Sequence, residues 1–191
     1  MLSILALFVA IATPALAEEN VVCNGKVYCI GVETQSAETI INIRSNVQGW
    51  FGFGLGPKMA GSDMFIVWSN GNESTVSARE SPSQAMPVVS KKINATSIPW
   101  TGKKRSDWAK IHASFKVPTE QISKQLAAKA FIWASSETAP ATPADAASTF
   151  GKHDKYDKLE HDFTIQSIGA APTGLTGALP AGASAHRKRH F

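Results

Sequence analysis

Apolar residues along this chain recur in short runs separated by Gly, Pro, Asn and Ser clusters, and the helical period is nearly absent. Strands are expected at Val27–Glu33, Thr39–Arg44, Gly49–Leu55, Met64–Ser69, Ser74–Arg79, Lys110–Val117, Ala128–Ala134 and Leu159–Ile168. Ile41 and Ile43 alternate with Asn42 and Arg44. Ile111, Ala113 and Phe115 alternate with His112, Ser114 and Lys116. That is period two, with one face wet and one buried. Phe65-Ile66-Val67-Trp68 and Phe131-Ile132-Trp133 are apolar on both faces, which places them mid-sandwich or beside a buried ligand. One short helix is expected from Pro118 to Ala128, with Thr119 as its cap and Ile122 on its core side. The fold class is therefore all-β, an antiparallel β-sandwich of immunoglobulin-like architecture.

The ends have a different character. Leu2 to Ala12 is apolar, Ala15-Leu16-Ala17 has the small-x-small pattern of a signal-peptidase site, and Glu18 and Glu19 follow. The run is shorter than the about 20 residues that span a bilayer, so residues 1–17 are expected to be a cleaved secretory leader, with no transmembrane segment. Residues 18–169 form one domain. Residues 170–191 are rich in Ala, Gly, Pro and Thr, and read as a flexible tail with the basic end His186-Arg187-Lys188-Arg189-His190. The formal charge of +4 owes most to that end, which argues against a nucleic-acid footprint on the domain.

In an oxidising compartment Cys23 and Cys29 are expected to pair. A two-residue turn at Asn24-Gly25 would set Cys23 opposite Lys26, so the bridge requires a wider loop. The sequons at Asn72 and Asn94 fit the same route.

Two segments carry candidate chemistry. From Gly49 to Leu55, glycine alternates with Trp50, Phe51, Phe53 and Leu55, a sign of close approach by another backbone or a ligand; Met59 follows in a polar loop. Trp133 is followed by an Ala/Pro/Thr-rich loop that ends in Ser148-Thr149-Phe150 and His153. The Met59–Trp68 spacing, the run Met64-Phe65-Ile66-Val67-Trp68-Ser69-Asn70-Gly71-Asn72 and the spacing from Trp133 through Ser148-Thr149-Phe150 to His153 resemble the cytochrome domain of fungal cellobiose dehydrogenases, a haem-binding branch of the DOMON superfamily. The resemblance runs from about Val27 to Ile168 and departs from the family where Tyr156-Asp157 replaces an aromatic-Gly pair.

The resemblance implies that Met59 and His153 are the axial ligands of a haem iron, with His161 as the competing histidine. It makes Trp50, Phe53, Phe65 and Trp133 candidates for lining the haem pocket. Arg79 is a candidate partner for a haem propionate, but a surface role is the preferred reading. No Cys-x-x-Cys-His occurs, so the haem is expected to be noncovalent haem b. With both axial positions filled, the expected role is an extracellular electron carrier rather than an enzyme. Its expected donor is a flavin-dependent sugar dehydrogenase, and its acceptor a copper polysaccharide monooxygenase, a quinone or a metal ion. No Rossmann fingerprint accompanies it, and a monomer is expected. The competing reading is a haem-free DOMON-type sandwich that binds a carbohydrate or another small ligand.

Overall fold

The period-two runs pair into two antiparallel sheets in a computed structural model that describes residues 20–102 and 107–164. The leader expected at 1–17, the tail at 170–191 and the last four residues of the strand expected at 159–168 lie outside the described residues.

The strands are β1 (Asn20–Asn24), β2 (Tyr28–Thr34), β3 (Glu38–Ser45), β4 (Trp50–Leu55), β5 (Asp63–Asn70), β6 (Glu73–Glu80), β7 (Val88–Val89), β8 (Thr96–Ile98), β9 (Ile111–Pro118), β10 (Ala130–Ser136) and β11 (Lys155–Glu160). A single helix among the described residues, α1 (Thr119–Ala127), joins β9 to β10. One sheet has the order β1-β2-β3-β9-β8. The other has the order β11-β10-β4-β5-β6-β7.

Between the sheets lies the main core. Ile41 and Ile43 on β3 sit opposite Phe115 and Ala113 on β9, all pointing inward. Phe51, Phe53 and Leu55 of β4 face them, with Phe65 and Val67 of β5 and Phe131 and Trp133 of β10. Burying each such side chain is worth about 1.5–3 kcal/mol, so the inward phase of every strand is strongly specified. Helix α1 adds Ile122 and Leu126, one turn apart, to this core.

The helix departs from expectation at its start. Pro118 holds the N-cap position without a side-chain cap bond, and Thr119 instead meets the Thr39 hydroxyl at 3.1 Å. At its other end Lys129 takes the left-handed conformation (φ 56°), the residue where helices commonly reverse into a strand.

The last strand also moves: β11 is Lys155–Glu160, earlier than the run Leu159–Ile168 suggested. It is an edge strand exposed along most of its length, so nothing selects apolar residues there. The short β1, β7 and β8 escape the pattern for the same reason; they are exposed or half-buried edges.

Cys23 and Cys29 are bonded across the β1–β2 hairpin, directly opposite each other. A three-residue loop, Gly25-Lys26-Val27, makes that register possible. Gly25 has φ +51°, and the Val27 N–H donates to the Asn24 carbonyl at 2.9 Å.

Candidate functional site

The outer face of the six-stranded sheet is apolar where a sandwich face is usually wet. Strand pairing lines up two rows on it: Ser77, Ile66, Gly52, Ala134 and Tyr156, and beside it Arg79, Met64, Gly54, Ile132 and Lys158. Trp50 and Trp68 face each other in the next row. Trp50, Met64, Ile66, Trp68 and Phe150 form a second core on this face, with Met59 and Ala134 packed against it. The glycines are sites of close approach. A Cβ on Gly54 would stand 2.6 Å from Ile132 Cγ1, and one on Gly52 would stand 2.9 Å from Ile66 Cδ1.

The segment leading from β10 to β11 covers the β5–β6 half of the face. Trp68 Nε1–H and the Thr75 hydroxyl both donate to the Pro143 carbonyl at 2.7 Å. Arg79 is 4% exposed and reaches up into the same segment. Its guanidinium donates to the carbonyls of Ala146 and Ser148 at 2.8 Å each, to that of Pro87 at 3.3 Å, and to the Ser77 hydroxyl at 2.6 Å. It also lies 5.3 Å from the centre of the Phe150 ring, which packs on Trp50 with ring centres 5.0 Å apart. Arg79 is therefore a buried clamp, contrary to the surface role expected of it. Burial lowers its pKa, and the charge of Asp145 opposes that shift.

Met59 and His153 reach this face from loops at opposite ends of β4 and β10. The Met59 loop closes by a turn in which the Ser62 N–H donates to the Met59 carbonyl at 3.1 Å, with Gly61 at φ +83°. Gly61 N–H and Ser81 carbonyl (2.6 Å), and Ser81 N–H and Ser62 carbonyl (3.1 Å), tie that loop to the end of β6. His153 is held through its neighbour. Asp154 N–H donates to the Ser135 carbonyl at 2.8 Å, and its carboxylate accepts from Glu137 N–H and the Ser136 hydroxyl, both at 2.8 Å. Those two bonds, the Glu137 N–H first, hold the Asp154 pKa below the ordinary value. The His153 ring packs on Tyr156 at 4.7 Å, and Tyr156 itself is 72% exposed.

His161 is directed elsewhere. Its Nε2 lies 2.8 Å from Asn20 Oδ1 on β1, and its ring stacks edge-on against Phe163 of the inter-sheet core. Burial lowers its pKa.

Of the four aromatic candidates, Trp50 alone joins the outer face. Phe53, Phe65 and Trp133 are in the core between the sheets, on the far side of the strands that carry them. Alternation requires this: the partners of the glycine phase on β4 must face the other way. Residues not singled out by sequence reasoning are Phe150, Asp154, Ile132 and Ala134. Phe150 stood in the Ser-Thr-Phe run and Ile132 in a doubly apolar strand, so both carried a signal. Asp154 carried none.

Trp50 Nε1 is buried without a hydrogen-bond partner. Among the described residues no group of three or more His, Cys, Asp or Glu is placed to hold a bare metal ion. No helix there is long and apolar enough to cross a membrane.

Residues 28–168 match the family described as the cytochrome domain of cellobiose dehydrogenase. Among solved structures, the chain is similar to the cytochrome b domain of pyranose dehydrogenase from Coprinopsis cinerea. The TM-score is 0.57 at 19% identity, covering 71% of this chain and 76% of that one. It is also similar to the cytochrome domain of Myriococcum thermophilum cellobiose dehydrogenase, with a TM-score of 0.55 at 16% identity, covering 79% of this chain and 85% of that one. A search of curated protein sequences found no match. The two structural likenesses speak for the fold, the sequence match speaks for the family, and the chain belongs to the cytochrome domains of the cellobiose dehydrogenase family.

Proposed function

We propose that this chain is an extracellular b-type cytochrome module that binds one haem on the outer face of its six-stranded sheet, between Met59 and His153. One observation carries the reading. Met59 packs against the apolar cluster from the loop after β4, and His153, far along the chain, stands at the opposite end of the same strands with its ring on Tyr156, each loop anchored by hydrogen bonds.

The residues fit the group. A methionine–histidine pair is a low-spin haem ligand set, whereas the same face offers no cluster for a bare ion. The glycine strip is bordered by Ile66, Ile132, Ala134 and Trp50, apolar surface of the kind a porphyrin covers. The unpartnered Trp50 indole N–H on that face is a donor in want of an acceptor. Both cysteines are spent in the Cys23–Cys29 disulfide, which leaves no thiol for covalent attachment and favours haem b. The disulfide also suits the secretory route, with residues 1–17 as leader, 18–169 as domain and 170–191 as tail.

A bound haem would supply one-electron chemistry between ferric and ferrous iron. The chain's own residues hold it, exclude water and set its environment. With Met59 and His153 as its two ligands, a bound haem would have no position open for oxygen, which suits a carrier rather than a catalyst. The exposed Tyr156 beside His153 puts this end of the site at the protein surface, where outer-sphere transfer is practicable. The donor proposed is a flavin-dependent sugar dehydrogenase; the acceptor is a copper polysaccharide monooxygenase, a quinone or a metal ion.

The test is a visible spectrum of the protein offered haem, before and after dithionite. Sharp α and β bands on reduction are expected, lost in Met59→Ala and His153→Ala and kept in His161→Ala. A protein that takes up no haem sinks the proposal. A large spectral change in His161→Ala alone reassigns the ligand.

A further inference from the structure

Arg79 is an unusual residue to find buried on the outer face of a sheet. It is 4% exposed, and its hydrogen bonds go to three backbone carbonyls and one hydroxyl, none to a carboxylate. The charge nearest in effect, Asp145, belongs to an exposed residue. A buried guanidinium without a carboxylate costs several kcal/mol of desolvation, and a neutral donor would satisfy one or two of the same carbonyls. The charge itself therefore calls for an explanation.

Position supplies one. Arg79, Met64 and Gly54 are consecutive members of one cross-strand row on the outer face. Two strand spacings, about 10 Å, separate Arg79 from the glycine strip between the Met59 and His153 loops. Intervening matter is Met64 and the Trp50–Phe150 pair rather than water, so the charge is poorly screened.

Resting on the haem reading above, we propose that Arg79 is a redox-positioning residue, a fixed buried cation that stabilises the ferrous over the ferric state while clamping the segment that leads to His153. Reduction lowers the positive charge of the site by one unit, and a nearby cation favours the less positive state. At an effective dielectric constant of about 20 and a separation of about 10 Å, removing the cation shifts the Fe(II):Fe(III) ratio at a fixed poise on the order of tenfold toward Fe(III).

The experiment is a potentiometric titration of the haem-loaded protein in four forms: wild type, Arg79→Met, Arg79→Lys and Ser77→Asp. Arg79→Met removes both charge and clamp. Ser77→Asp places a carboxylate beside the guanidinium and neutralises it with the clamp in place, which keeps the test alive if Arg79→Met does not fold. Both are expected to lower the midpoint potential by the equivalent of about tenfold, with Arg79→Lys close to wild type and all spectra six-coordinate. An unchanged potential in Ser77→Asp overturns the proposal, as does an equal drop in Arg79→Lys and Arg79→Met, which marks a purely structural clamp. A wild-type protein that binds no haem is a separate failure, that of the underlying reading, and shows before any variant is titrated.

Discussion

Gly54→Ala is the most direct probe of how the outer face is packed. The new methyl would stand 2.6 Å from Ile132 Cγ1 and 3.1 Å from its Cδ1. Carbon atoms rest at about 3.5–4.0 Å, so the overlap is about 1 Å against an atom next to the branch point. Ile132 is β-branched and stiff at χ1, and a full rotamer change is its route of escape. Overpacking of this kind costs about 1–3 kcal/mol. Against it, alanine in place of a strand glycine returns about 0.5–1 kcal/mol of chain entropy. A net loss of about 1–2 kcal/mol is expected. Gly52→Ala should lose less, because the methyl there meets Ile66 Cδ1, the far end of a side chain, at 2.9 Å. Urea unfolding of Gly54→Ala, Ile132→Ala and the double variant gives the coupling energy, expected to recover most of the clash. If Gly54→Ala matches wild type, or the two changes simply add, close packing is not why glycine stands there.

Replacing both Cys23 and Cys29 by Ser removes a small loop closure, and a loss of about 2 kcal/mol is expected in urea melts under oxidising conditions. The Asp162 carboxylate, held by Lys129 and by the Thr164 hydroxyl and N–H, has its pKa lowered to about 2 from 3.8. A depressed carboxylate contributes stability that is complete above its unfolded pKa and is lost as pH falls from 3.8 toward about 2. Asp162→Asn should therefore be less stable than wild type at neutral pH, show a flatter loss of stability in that window and converge on wild type toward about pH 2, as urea melts followed by circular dichroism at several pH values would show. Phe150→Ala opens the wall between Trp50 and Arg79, and a loss of about 3–5 kcal/mol is expected. Amide exchange should show the Pro143–Ser148 segment opening in that variant before the inter-sheet core does; simultaneous opening would mean that Phe150 does not pin the segment.

The alternation of Ile41 and Ile43, and of Ile111, Ala113 and Phe115, determined by itself that these runs are strands with one apolar face, because a side-chain period of two has one structural solution. The expected wet face did not follow, since Asn42 and Ser114 are buried against each other. The doubly apolar β5 and β10 already required cover on both faces. The spacing of Met59 and His153 from their tryptophans marked the family. Three things waited for tertiary structure. Which aromatics share the outer face is set by register: Trp50 lies in phase with the glycines, whereas Phe53, Phe65 and Trp133 lie in phase with the core. The edge strand β11 is polar because almost nothing covers it, so its pattern carried no signal. Arg79 is buried only because a segment far along the chain folds back over it and offers carbonyls at Ala146 and Ser148. Hydrophobic pattern is a local property and survives in the sequence. The partner of a buried charge is a long-range one, and it exists only once the two sheets and their loops have come together.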